Sequence, residues 1–138
     1  MLISSRGRYA LLVMIDLAEH RTGGFIPVKE TAARLELSQK YLERIMLTLA
    51  RAGLIEGAHG KGGGYRLTRE PADYTVGEIL REAEGTLSSL AGAELTPRET
   101  ASGVAGVWQQ LDARIAGYLD SVLLSSLTSG DAADEYVI

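Results

Sequence analysis

The strongest constraint on this chain is the stretch from residue 29 to 67, where two short helical segments break over a few residues and then give way to a run of glycines. Residues 29–36 (KETAARLE) suit a short helix, and Glu36-Leu37-Ser38 forms a turn. Ser38 then offers a side-chain cap to a second helix reaching about Ala52, with Gly53 as its C-terminal glycine. In this second helix Leu42, Ile45, Met46 and Leu49 recur at i, i+3, i+4 and i+7, the spacing of one buried face. Gln39, Lys40, Glu43 and Arg44 fall opposite and are free to meet something else. Beyond it, Leu54 and Ile55 open a strand, the glycine-rich segment 60–64 turns, and Tyr65-Arg66-Leu67 returns.

Two helices at a tight turn followed by a hairpin make the pattern of a winged helix-turn-helix, in which the second helix enters the DNA major groove. The expected fold is therefore mainly α with a small β-hairpin. The flanks are consistent with it. Residues 5–20 read as a helix capped by Ser4 or Ser5, apolar nearly all round and so buried on several sides. Residues 25–28 form a short edge strand limited by Pro27. After breaks at Pro71 and Asp73, residues 76–84 form a helix, with Thr75 as cap and Glu78 completing a capping box. A Gly/Ser/Thr-rich loop spans 85–103, with a turn of helix near 97–100. The longest helix is expected over 104–127. Its stripe of Trp108, Leu111, Ile115, Tyr118, Leu119 and Val122 asks for a partner, and a second copy of the chain is the natural one; the alternative is packing back on its own domain. The organisation is then a DNA-binding unit at 1–74, a linker and dimerisation unit at 75–129, and an acidic tail at 130–138.

A net charge of −4 looks wrong for a nucleic-acid binder, but the average hides a division. Residues 1–70 hold 11 Lys/Arg against 7 Asp/Glu, and residues 71–138 hold 3 against 11. The first half is the one suited to face a polyanion. Gln39 and Arg44 are the candidate base readers, since Gln pairs with adenine and Arg with guanine in the major groove. Tyr41 reaches a phosphate or a thymine methyl, Ser38 touches the backbone, and Lys40 and Arg51 neutralise phosphates. His59 and Lys61 ride on the hairpin tip, suited to the minor groove. A phosphate-binding loop is the rival reading of Lys61, but Gly62 and a strand follow it instead of Ser or Thr and a helix.

Catalytic and metal chemistry find little here. The chain has no cysteine, which removes disulfides, thiolate metal sites and thiol redox sensing. Its histidines, His20 and His59, have no second ligand at metal spacing. No cofactor is expected. No secretory layout opens the chain and no apolar run approaches a membrane span, so a cytoplasmic protein is expected.

The segments SSRGRYALLVMIDLA, LSQKYLERIMLTLARAGLIEGAHGKGGGYRL, TVGEILREAEG and VWQQLDARIAGYLDSVLLSSL together resemble the winged-helix repressor family of the iron–sulfur cluster regulator IscR and the cysteine metabolism repressor CymR. The resemblance covers nearly the whole chain and implies a homodimeric DNA-binding repressor. It also marks departures. Cluster-binding members carry three cysteines in the loop before the long helix, the last near Ser102, and a histidine near Ala105; this chain has none of these. Arg44 stands where IscR-like sequences carry glutamine, and His59 where arginine is usual. The chain is thus closer to the cluster-free CymR branch, whose co-repressor is the enzyme cysteine synthase. The closing Asp134-Glu135-Tyr136-Val137-Ile138 resembles the C-terminal peptide of serine acetyltransferases, which docks in cysteine synthase, so Tyr136, Val137 and Ile138 are expected to contact that partner. Two other readings stay open: the same DNA role answering to a small-molecule or stress signal, and a partner-sequestering module without DNA binding.

Overall fold

A computed structural model of the chain describes residues 3–129. The segment 130–138, with Tyr136, Val137 and Ile138, lies outside the described residues. Helix α1 (Ser5–Glu19) begins where the Ser4 hydroxyl accepts the Gly7 N–H at 3.3 Å, and buries Ala10, Val13, Met14 and Leu17. Helices α2 (Val28–Leu35) and α3 (Gln39–Arg51) follow, and then strands β1 (Ile55–Ala58) and β2 (Gly64–Leu67), paired antiparallel with Ile55 opposite Leu67. The chain continues through a 3-10 turn at Pro71–Asp73 into α4 (Val76–Glu84), α5 (Pro97–Thr100) and α6 (Val104–Ser121).

The turn between α2 and α3 is built from local backbone bonds. Glu36 adopts a left-handed φ of 56°, and the Leu37 N–H reaches back to the Ala32 carbonyl at 3.0 Å. That is the bond of a Schellman closure. The same closure ends α3, where the Leu54 N–H bonds the Leu49 carbonyl at 3.0 Å and Gly53 takes the left-handed position at φ 78°.

One hydrophobic core joins these elements. Met14 and Leu17 from α1 meet Leu42, Met46 and Leu49 from α3, Leu54 and Ile55 at the hairpin, Ile79 from α4 and Leu124 beyond α6. Tyr74 sits within it, fully buried. Its hydroxyl donates to the Leu54 carbonyl at 2.7 Å and accepts the N–H groups of Thr68 and Arg69, both at 3.0 Å. A buried phenol of this kind satisfies three backbone groups at once and fixes the root of the hairpin. Asp16, buried on α1, receives a bidentate bond from Arg34 of α2 at 2.8 and 3.0 Å, which locks the two helices together.

Three local expectations are corrected. The strand expected over 25–28 is a single residue: Ile26 exchanges two backbone bonds with Tyr65, at 2.8 and 2.9 Å, and Pro27 has no N–H to continue the ladder. At that bridge Gly64 has φ 143°, and a side chain there would collide with the Ile26 carbonyl. The capping box at α4 is only half made. Thr75 accepts the Glu78 N–H at 3.0 Å, but the Glu78 carboxylate turns away to Arg69 at 2.8 Å. A complete capping box occurs instead at Thr96 and Glu99. Finally, the helix expected over 104–127 stops at Ser121. Val122 is extended, its carbonyl takes the Val76 N–H at 2.9 Å, and the Leu124 N–H reaches the Tyr74 carbonyl at 3.0 Å. Burial of Leu124 in the core draws the chain out of the helix at this point.

Candidate nucleic-acid interface

Helix α3 is held by its apolar face: Leu42, Ile45, Met46 and Leu49 are at most 2% exposed. Its other face is open. The Ser38 hydroxyl accepts the Tyr41 N–H at 3.1 Å, so this side chain is engaged as the helix cap. Gln39 and Lys40 are exposed in the first turn, and Gln39 Nε2 donates to Glu43 Oε1 at 3.3 Å. Arg44 and Arg51 project from the same open side. Tyr41 is half-buried, its ring edge-on to Tyr9 of α1 with centroids 5.9 Å apart, which ties α3 to α1. His59 and Lys61 are exposed at the hairpin tip.

Between α3 and the hairpin runs a groove of about 720 Å³ lined in part by Lys29, Gln39, Glu43, Leu47 and His59. It brings Gln39 and His59, twenty positions apart, onto one surface. Lys40, Arg44, Arg51 and Lys61 are outside its lining. Lys29 and Leu47 escaped the sequence reading. Lys29 sits at the start of α2, and its place on the groove depends on how α2 crosses α3, which is not local information.

The division among the basic side chains is the clearest electrostatic feature. Arg21, Arg34, Arg66 and Arg69 each close on a carboxylate at 2.7–2.8 Å. Hydrogen bonding to those carboxylates raises the pKa of Arg21, Arg34 and Arg69. Among the described residues, Lys29, Lys40, Arg44, Arg51 and Lys61 form no ion pair. Arg6 and Arg8 of α1, and Arg98 and Arg114 further along, likewise close on no carboxylate among the described residues, but the unpaired cations of α3, the start of α2 and the hairpin tip gather around one groove.

A second surface lies on α6, which buries no residue. Leu111 and Tyr118 are 41% and 68% exposed, as is Val107 at 57%, while Trp108, Ile115 and Leu119 are half-buried. Ile115, Tyr118 and Leu119 line an apolar depression of about 330 Å³ with Ile3 and Leu80. Val122 lies beyond the helix, in the extended segment that docks on α4. Helix α6 is held by polar ties: Arg81 clamps Asp120 with two bonds of 2.8 Å, and Asp112 Oδ1 accepts the Ser89 N–H at 2.7 Å. The Arg81 hydrogen bonds hold the Asp120 carboxyl below its ordinary pKa.

Comparison with known proteins gives this architecture a lineage. The profile of the Rrf2 family, described as an iron-dependent transcriptional regulator, matches residues 3–130. The chain belongs to the Rrf2 family. It is 36% identical over 132 residues to the transcriptional regulator CymR of Bacillus subtilis, covering 94% of this chain and 91% of that one. It is 33% identical over 129 residues to IscR of Aliivibrio salmonicida, covering 92% and 77%. The solved structure of CymR, the global cysteine regulator of B. subtilis, superposes with a TM-score of 0.79 at 34% identity, covering 94% of this chain and 98% of that one. This Rrf2 protein is accordingly a transcriptional regulator with a winged-helix fold, and its relatives are named as regulators and not as enzymes. No helix among the described residues is long and apolar enough to cross a membrane.

The iron in the family description does not fit the donors present. A thiolate-held centre needs cysteine, and the chain has none. Ser102 bonds its hydroxyl to the Glu99 carbonyl at 2.9 Å, Glu99 is engaged in its capping box, and Ala105 offers no donor atom. Among the described residues no group of His, Cys, Asp or Glu is arranged to hold a metal ion.

Proposed function

We propose that this Rrf2 protein is a homodimeric repressor that binds double-stranded DNA through α3 and the hairpin wing, and that its targets serve cysteine and sulfur metabolism. The observation that carries the DNA-binding reading is the gathering of cations without an ion pair, Lys29, Lys40, Arg44, Arg51 and Lys61, on α3, the start of α2 and the wing. In this reading Gln39 and Arg44 contact base edges, with Ser38, Lys40, Tyr41 and Arg51 along the phosphate backbone. His59 and Lys61 reach the adjacent minor groove. The open apolar face of α6, with Trp108, Leu111, Ile115, Tyr118 and Leu119, pairs with the same face of a second copy, and Val122 flanks it. Residues 1–74 then meet DNA and residues 75–129 pair the chains.

Titration of a fluorescent duplex, selected by the protein from a random-sequence pool, tests the DNA role. Affinity should fall steeply with salt, and Lys40→Ala or Arg51→Ala should each lower the salt slope by about 1. Binding that is insensitive to salt rejects this interface.

The metabolic assignment is supported by the likeness to CymR, named a global cysteine regulator, and by the absence of cluster ligands. Cysteine synthase is the proposed co-repressor, with the acidic and apolar segment 134–138 (DEYVI) as the contact, through Tyr136, Val137 and Ile138. Titration with cysteine synthase, with and without O-acetylserine, checks it. Binding that O-acetylserine displaces is the expected result. No binding leaves the DNA role in place and transfers the signal to a small molecule.

A further inference from the structure

The open face of α3 contains one residue that the electrostatic account does not use. Leu47 is 46% exposed, although every other leucine of the helix is fully buried. At about 100° per residue, the open face runs in angular order Glu43, Leu47, Lys40, Arg51, Arg44. Leu47 is therefore in the middle of the face, flanked by unpaired cations on one side and Glu43 on the other. It also lines the groove facing the hairpin, together with Gln39, Glu43 and His59. Packing does not account for it, because the core is filled by Leu42, Ile45, Met46 and Leu49 from the opposite side.

We infer that Leu47 is a specificity-determining residue that reads the 5-methyl group of a thymine in the major groove. This rests on the DNA-binding reading above and deepens it. Among major-groove features, the thymine methyl is the apolar one, and apolar side chains recognise it by contact. Neighbouring cations bring the helix to the phosphates without regard to sequence. An apolar group in their midst is desolvated only where an apolar group faces it, so it contributes discrimination and not general affinity. The inference adds a thymine to the bases that Gln39 and Arg44 read.

The experiment uses the full chain and a duplex that the wild-type protein has selected from a random-sequence pool. Each thymine of the duplex is replaced in turn by deoxyuridine, which removes only the methyl, and affinities are measured for the wild type, Leu47→Ala and Leu47→Met. Circular dichroism melting establishes that the variants fold, as expected at an exposed helical position. At one thymine per half-site, deoxyuridine should weaken wild-type binding about fourfold, the effect of one lost methyl contact. Leu47→Ala should weaken binding to the thymine duplex and respond little to the same replacement, while Leu47→Met should keep most of the response. Equal deoxyuridine effects in wild type and Leu47→Ala, or no effect at any thymine, overturn the inference while leaving the DNA-binding reading intact. Failure of the wild type to select or bind any duplex overturns both.

Discussion

Helices α3 and α6 make opposite use of amphipathic sequence. The shorter α3, 13 residues long, buries four side chains almost completely and leaves a polar, cationic face open. The longer α6, 18 residues long, buries none and leaves an apolar face open. Length is therefore a poor guide to what holds a helix. One is fixed by the core it completes within the chain, and the other has polar clamps but lacks cover for its apolar surface. Each open face suits a different partner, a polyanion for α3 and another apolar surface for α6.

The contrast is broken most strongly by deleting the anchors of α3. Leu49→Ala, at a fully buried site, should destabilise the fold by about 2–5 kcal/mol in urea unfolding. Leu111→Ala on α6 should cost the isolated protomer less than about 1 kcal/mol, since the side chain is 41% exposed. An equal loss for the two at a concentration where the chain is monomeric would mean that α6 has a core of its own. Next in size is the joint between the regions. Tyr74→Phe keeps the ring but strips the bonds to Leu54, Thr68 and Arg69, and should lower stability by about 1–3 kcal/mol. Of similar size, Arg44→Ala should weaken DNA binding by about 1–3 kcal/mol without changing the melting temperature. A matching loss on every duplex sequence would make Arg44 a phosphate contact and not a base reader.

The smallest effect concerns the clamp on α6. Asp120 has its pKa depressed by Arg81, so its contribution is present above the unfolded carboxylate pKa. It is lost as pH falls through the lower folded value. Asp120→Asn should therefore reduce the difference in stability between neutral and acidic solution, read from urea midpoints across that window. A variant with the same pH profile as the wild type would show the clamp to be energetically idle.

Local signals were the legible ones. Ser4, Ser38 and Thr75 cap α1, α3 and α4 at the starts that the sequence indicates, because a cap is a bond across three residues. The hairpin was readable for the same reason, from its glycines. Apart from the strand that Pro27 cuts to one residue, the failures are non-local. Glu78 leaves its capping box for Arg69, and the long helix ends early because Val122 and Leu124 pair with Val76 and Tyr74, about 46–50 positions away. On the interface, the exposure of Gln39, Lys40 and Arg44 followed from helical period. The engagement of Tyr41 with Tyr9 required knowing how α1 lies on α3. Leu47 was missed because an apolar residue beside a buried stripe reads as core until its angular position is counted.

In the proposed assembly α6 pairs two chains so that two copies of α3 meet one duplex. Sedimentation velocity of the wild-type chain, alone and with the selected duplex, tests it directly. A dimer at micromolar concentration and one dimer per duplex are the expected results. A monomer that binds DNA one to one would contradict it.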